Sequence, residues 1–168
     1  MENLIIGRCQ DFAIEVADFD QREGRVRFWA NNSEIGDLKV NDELETCAYA
    51  LKGLIDNKED LFNDAFVSKT EAEIFQYCLL LDTNSSNRTE KDYERFRRVQ
   101  HMSPFLGEQF DSIARVIYFK NGYYHILWFY NNDYTSNLNF MDNFKVEKIR
   151  AEDFEIACES FIDLVFYQ

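Results

Sequence analysis

Apolar and polar positions change period three times along the chain, and the changes mark its elements. Residues 12–16 (Phe-Ala-Ile-Glu-Val) begin a strand-like run, and residues 25–29 (Arg-Val-Arg-Phe-Trp) alternate with period two. A polar turn over 18–24 separates them. Asn31-Asn32-Ser33 is a second turn cluster, and residues 35–40 read as a third short strand. Together these predict an N-terminal antiparallel meander.

From residue 42 the period becomes helical. Leu44, Cys47, Ala48, Leu51, Leu54 and Ile55 form one apolar stripe, with Asn41 or Asp42 as the expected N-cap and Glu43 and Glu45 in a first turn that favours acids. A second helix is expected over 59–65. A third begins at a capping box, Thr70 with Glu73, and carries Ile74, Phe75, Cys78 and Leu81 to about residue 81. Residues 83–87 read as a loop, 91–100 as a short charged surface helix bearing Arg95, Arg97 and Arg98, and Pro104 ends whatever precedes it.

The clearest local signal lies at 113–130. Ile-Ala-Arg-Val-Ile-Tyr-Phe (113–119) and Tyr-Tyr-His-Ile-Leu-Trp-Phe-Tyr (123–130) flank Lys120-Asn121-Gly122. Asn-Gly favours a two-residue hairpin turn, since both positions need positive φ. That register pairs 119 with 124 and 117 with 126. Ile117, Phe119, Tyr124, Ile126 and Trp128 then share one face, and Val116, Tyr118, His125, Leu127 and Phe129 the other. Both faces are apolar, so at least one strand is central and covered on both sides. A polar aromatic loop (131–143), a last strand (144–149) and a helix (151–167) follow. The helix turns Phe154, Ala157, Cys158, Phe161, Ile162 and Val165 inward. Its other face carries Glu152, Asp153, Glu155, Glu159 and Asp163 with no Lys or Arg. Strands, helices, hairpin and helix in that order predict one α+β domain over residues 1–168, an antiparallel sheet with a central hairpin packed against helices.

Charge adds what periodicity does not. The chain has 168 residues, with 31 Asp and Glu against 18 Lys and Arg, a formal net charge of −13, and 16% aromatic residues. The aromatics supply a core, while the surplus carboxylates belong on the surface, because unpaired buried charge is costly. Such a body repels nucleic acid and favours basic partners. The four cysteines form no C-x-x-C pair, and Cys47, Cys78 and Cys158 sit among apolar residues at helical spacing, as reduced core thiols do. The N-terminus lacks the basic region of a signal peptide and no stretch approaches the roughly 20 apolar residues of a membrane span, so a cytoplasmic protein without a membrane partner is expected.

Motifs for chemistry are mostly missing. There is no phosphate-binding glycine loop and no nucleophile elbow. Residues 18–24 superficially resemble a calcium loop, but Arg22 replaces an oxygen ligand and Gly24 falls one place late. His125 lies opposite Tyr118 in the hairpin and reads as a histidine hydrogen-bonded to a neighbour. As a general base it needs a nucleophile or orienting carboxylate that the sequence does not supply. A small hydrolase using a carboxylate pair or His125 is the enzymatic alternative, and a structural or adaptor subunit a third. No metal and no cofactor is implied. Two features suit a partner surface. Asp18, Asp20 and Glu23 crowd one turn. The 130–142 segment puts Tyr130, Tyr134 and Phe140 beside Asp133 and Asp142. Leu138, Phe140 and Met141 equally suit a plug beneath a long loop.

The opening segment also carries a resemblance. Ile6-Gly7-Arg8 before Asp11-Phe12-Ala13-Ile14-Glu15, then Phe28-Trp29-Ala30-Asn31-Asn32 and Ile35-Gly36-Asp37, resembles the start of the immunity 42 family. Asn32 stands where that family commonly has glycine. Phe110-Asp111 before the 113–119 strand and the closing acidic helix with Phe154 and Phe161 are similar more loosely. These are small bacterial proteins that neutralise toxin domains of polymorphic and contact-dependent growth inhibition systems. The resemblance implies a protein that works by binding a cognate C-terminal toxin domain, with no catalytic residues. Many such toxins are nucleases, so a basic partner is expected.

Overall fold

The two strongest sequence signals become the centre of the molecule. In the computed structural model, which describes residues 3–20, 22–131 and 143–167, the hairpin and the last helix pack on each other. The hairpin forms β6 (Ile113–Lys120) and β7 (Tyr123–Tyr130), paired Phe119 with Tyr124 and Ile117 with Ile126 as its turn dictates. Asn121 and Gly122 both take positive φ, at 52° and 80°. β8 (Lys145–Arg150) adds to β7, so β7 is the central strand of a three-stranded antiparallel sheet. Both faces are covered. On one, Tyr124 stacks on Phe154 of helix α4 (Ala151–Tyr167), centroids 4.2 Å apart. On the other, Tyr118 and Phe129 meet Phe66 and Phe75 edge-on.

The N-terminal meander is a second antiparallel sheet. Its order is β1 (Leu4–Arg8), β2 (Phe12–Asp20), β3 (Glu23–Ala30) and β4 (Ser33–Ile35), with β5 (Asp42–Glu43) also pairing with β3. Phe12, Ile14, Val16, Val26 and Phe28 turn one face to the core, where Phe12 packs on Phe154 at 4.7 Å and Phe28 on Phe110 at 4.6 Å. Phe154 therefore ties both sheets to one helix. β1 went unpredicted because its side chains are mostly exposed, and its place comes from backbone pairing with β2.

Gly7 explains how α4 lies so close to this sheet. Its φ is +100°, and a Cβ there meets the Phe12 carbonyl oxygen at 2.4 Å and Ala157 Cβ at 3.2 Å. Asn31 and Asn32 have φ of 49° and 66° in the β3–β4 turn, which is why glycine also suits position 32.

Helix α1 (Leu44–Asp56) buries Leu44, Cys47, Ala48, Leu51 and Leu54, as its stripe predicts, and packs beside α4. Its expected cap is corrected. Neither Asn41 nor Asp42 caps it. Glu43 holds the N-cap position without a side-chain bond. Asp42 instead accepts the Glu108 N–H at 2.8 Å, closing the turn that contains Phe110. The helix expected over 59–65 is two short 3-10 turns, Lys58–Asp60 and Asp64–Phe66. Asn63 breaks them by accepting the Ala65 N–H, while Leu61 and Phe66 anchor the segment in the core. Helix α2 (Glu71–Cys78) starts at the predicted capping box but stops short of residue 81, since Leu80 takes φ +55°. The third short strand ends at Ile35, because Gly36 turns the chain at φ +119°. Residues 85–87 form a 3-10 turn. α3 (Glu90–Val99) follows under a second capping box, Thr89 with Asp92.

Candidate functional site

The acidic turn at 18–23 is partly satisfied from within. β2 bulges between Ala17 and Asp20, and Asp18 takes φ +50°. That conformation suits Asp, and it brings the carboxylate onto the Arg25 guanidinium. Glu23 accepts from Asn41 Nδ2 at 3.2 Å and pairs across strands with Glu43, so acids gather at this corner. Asp20 is exposed at the hairpin end, and Arg22 reaches Glu45 at 3.1 Å.

Tyr130 lies elsewhere. Its ring meets Trp128 edge-on at 5.3 Å, and its hydroxyl donates to the Glu34 carbonyl at 3.5 Å. Glu34 pairs with Trp29, six residues along β3 from Glu23, or roughly 20 Å of strand. The structure does not bring Tyr130 to the turn. Asp133, Tyr134, Phe140 and Asp142 lie outside the described residues.

The acidic face of α4 divides in two. Near its start, Asp153 accepts from Arg150 at 2.7 Å, and Glu155 accepts from Lys58 at 3.0 Å and from the Tyr124 hydroxyl at 3.1 Å. Further on, the carboxylates of Glu159 and Asp163 form no ion pair or hydrogen bond with any other described residue. Both line a groove of about 500 Å³ between α1 and α4, together with Tyr49, Ile55, Asp56, Ile162, Phe166 and Tyr167. Periodicity assigned these acids to the outer face but could not show the groove, which exists only because α1 and α4 pack side by side.

The groups that could do chemistry are otherwise engaged. His125 stacks on Tyr118, centroids 4.5 Å apart, and its Nδ1 meets that hydroxyl at 3.1 Å. Burial first, then Lys148, lowers its pKa. The Arg95 guanidinium holds Asp82 in a bidentate pair at 2.7 Å and Arg97 pairs with Glu90 at 2.6 Å, so two of the three arginines of α3 are already neutralised. Among the described residues, the carboxylates clearly displaced from their ordinary range, Glu15, Glu73 and Asp92, are all held below it. A hydrolytic acid needs the reverse. Among the described residues, no three His, Cys, Asp or Glu side chains gather as metal ligands. No described helix is long and apolar enough to cross a membrane.

Sequence patterning does not reveal which polar groups are buried, and Glu15, Gln109, Arg115 and Glu147 are among them. Glu15 is 4% exposed and accepts from Asn3 Nδ2 at 2.6 Å, Arg27 Nε at 2.7 Å and Trp29 Nε1 at 2.7 Å. Strand register held the signal for Glu15, since it faces Arg27 once the meander is paired.

The family profile of immunity protein 42 matches residues 4–163. The chain belongs to the immunity protein 42 family. Its motif residues have structural work. Gly7 admits α4, Glu15 and Trp29 meet in the buried network, and Gly36 leaves room for Phe110, whose ring a Cβ there meets at 3.0 Å. Membership implies a toxin-neutralising role exerted by binding a cognate toxin, and such proteins are generally not enzymes. No curated protein and no solved structure matches the chain.

Proposed function

We propose that this chain is a cytoplasmic immunity protein of a contact-dependent growth inhibition system, acting as one domain over 1–168. It binds a cationic nuclease toxin domain and blocks its active site or substrate surface. The observation that carries this reading is the family match over residues 4–163. The net charge of −13 supports the basic partner, because a nuclease must hold phosphate with positive charge, and the same field draws in an anionic inhibitor. Nucleic acid and membranes are not partners in this reading. Asp18, Asp20, Glu23, Tyr130, Asp133, Tyr134, Phe140 and Asp142 are offered as contact residues, aromatic area flanked by steering carboxylates.

Co-expression with the toxin domain encoded immediately upstream tests this. Cells carrying both should grow, and cells carrying the toxin alone should die. Equal death with and without this chain overturns the reading.

A further inference from the structure

We infer that the groove between α1 and α4 seats a lysine or arginine side chain carried on an apolar segment of the toxin domain. This rests on the reading that the chain binds such a domain. The floor is aromatic and unusually open to solvent. Tyr49 is 62% and Tyr167 81% exposed, and the Tyr49 ring packs on Phe166 at 4.8 Å. Ile156, 56% exposed, continues the same helical face of α4 at the spacing of Glu159, Asp163 and Tyr167. Exposed aromatic and aliphatic area of this kind is what the centres of protein interfaces use.

The rim fixes the sign of the occupant. Asp56, Glu159 and Asp163 face the groove against a single cation, Lys52, which is already paired with Asp56 at 2.7 Å. The carboxylates of Glu159 and Asp163 thus stand without a partner among the described residues. The helix ends add to the field. The C-terminal turn of α4 contains no basic residue, so its partial negative charge is uncompensated, and α1 likewise has none in its last turn. A cation entering here meets ring faces and free carboxylates together, and each attracts it. A second copy of the chain is disfavoured, because it sets one acidic rim against another. Anionic lipid headgroups are disfavoured for the same reason.

The test compares binding of the upstream-encoded toxin domain to the full chain and to three variants, each first checked for an unchanged melting transition. Glu159→Gln/Asp163→Asn should weaken binding about tenfold, and Glu159→Lys/Asp163→Lys about a hundredfold or more. Glu90→Lys/Glu94→Lys makes the same charge change on α3 and should cost less than about fivefold, since it alters only the long-range field. If the unaltered chain binds the toxin domain and the groove variants bind equally well, this inference is overturned while the immunity reading stands. If the α3 variant loses as much as the groove variant, the field rather than the groove is responsible, and the inference is again overturned. A dimer of the unaltered chain in sedimentation that the groove substitutions dissociate assigns the groove to a second copy instead. If the unaltered chain does not bind, the immunity reading fails and this inference goes with it.

Discussion

Arg27 donates its Nε–H to the Glu15 carboxylate at 2.7 Å, across the β2–β3 pair and beneath the Trp29 indole. Burial alone pushes the Glu15 carboxyl up. The hydrogen bonds from Arg27, Asn3 and Trp29, with the Arg27 charge, outweigh it and hold the group below its ordinary value of 4.5. Charge-assisted bonds of this type contribute about 1.5–3 kcal/mol. Glu15→Gln should therefore lose about 2 kcal/mol in urea unfolding at pH 7. Because the folded pKa is lowered, the unfolded state takes up the proton first as pH falls. The stabilisation is complete above about pH 4.5 and drains below it. The difference between Glu15→Gln and the unaltered chain should shrink between pH 5 and pH 3. A difference that stays constant across that range refutes the linkage.

His125 gives a pH dependence in a separate window. Tyr118 stacks on its ring, Glu71 lies on the opposing side of the electrostatic balance, and burial, Lys148 and Lys120 all disfavour the protonated form. The neutral ring shares a hydrogen bond with the Tyr118 hydroxyl, whose own pKa burial pushes up to about 12. With the folded pKa depressed, the unfolded histidine binds a proton first on acidification, so stability falls as pH drops below about 6.5. Stability curves at pH 7.5 and 5.5 should show the unaltered chain losing more on acidification than His125→Phe. Parallel losses in the two proteins rule this out.

The elements legible in the sequence were those with a local cause. Asn121-Gly122 set the hairpin register, Thr70 with Glu73 started α2, and the stripe from Leu44 to Leu54 marked the buried face of α1. What was not legible depends on distant partners. Asp42 has the chemistry of a cap, and α1 was its nearest candidate, yet it caps a turn 66 residues away. Lys58–Asp60 and Asp64–Phe66 fail to join as one helix because tertiary anchoring of Leu61 and Phe66 overrides a weak local preference. The candidate surface divides in the same way. Residues such as Asp18 and Glu23 were nameable from composition, whereas their engagement by Arg25 and Asn41, and the α1–α4 groove, arise only in the folded chain.

The cysteines should report folding cleanly. Cys47, Cys78 and Cys158 are buried, and burial pushes Cys78 up to about 12 and the other two well above the usual thiol range. Cys9 is only half-buried, although burial and Glu15 raise it too. Because the thiolate is the reactive form, a disulfide reagent at pH 8 should modify Cys9 slowly and leave the other three untouched until denaturant is added. Native labelling that persists in Cys9→Ser contradicts this.

Arg115 is buried, and no carboxylate among the described residues is hydrogen-bonded to it. It donates to the carbonyls of Phe110 and Ile113 at 3.0 Å and of Pro104 at 2.6 Å, and burial lowers its pKa to about 10. The guanidinium thus pins the 104–113 segment to β6. Lysine cannot reproduce three separated donors in a plane. Arg115→Lys and Arg115→Met should each cost about 3 kcal/mol, since both leave buried carbonyls short of donors. Chemical denaturation of the two variants checks this, and a loss under about 1 kcal/mol in Arg115→Lys contradicts the need for a planar fork.

Salt should separate steering from docking in the proposed toxin complex. Surface carboxylates act over distances comparable to the screening length, about 8 Å at physiological ionic strength. The attraction between a −13 chain and a cationic domain therefore acts mainly before contact and speeds association. Raising salt from about 20 mM to 500 mM should lower the association rate by about ten- to a hundredfold. Dissociation should change far less, because a desolvated contact is poorly screened. Stopped-flow or surface-binding kinetics across that range makes the measurement. An association rate indifferent to salt removes the electrostatic steering while leaving toxin binding intact, and a salt effect confined to dissociation places the important charges inside the interface.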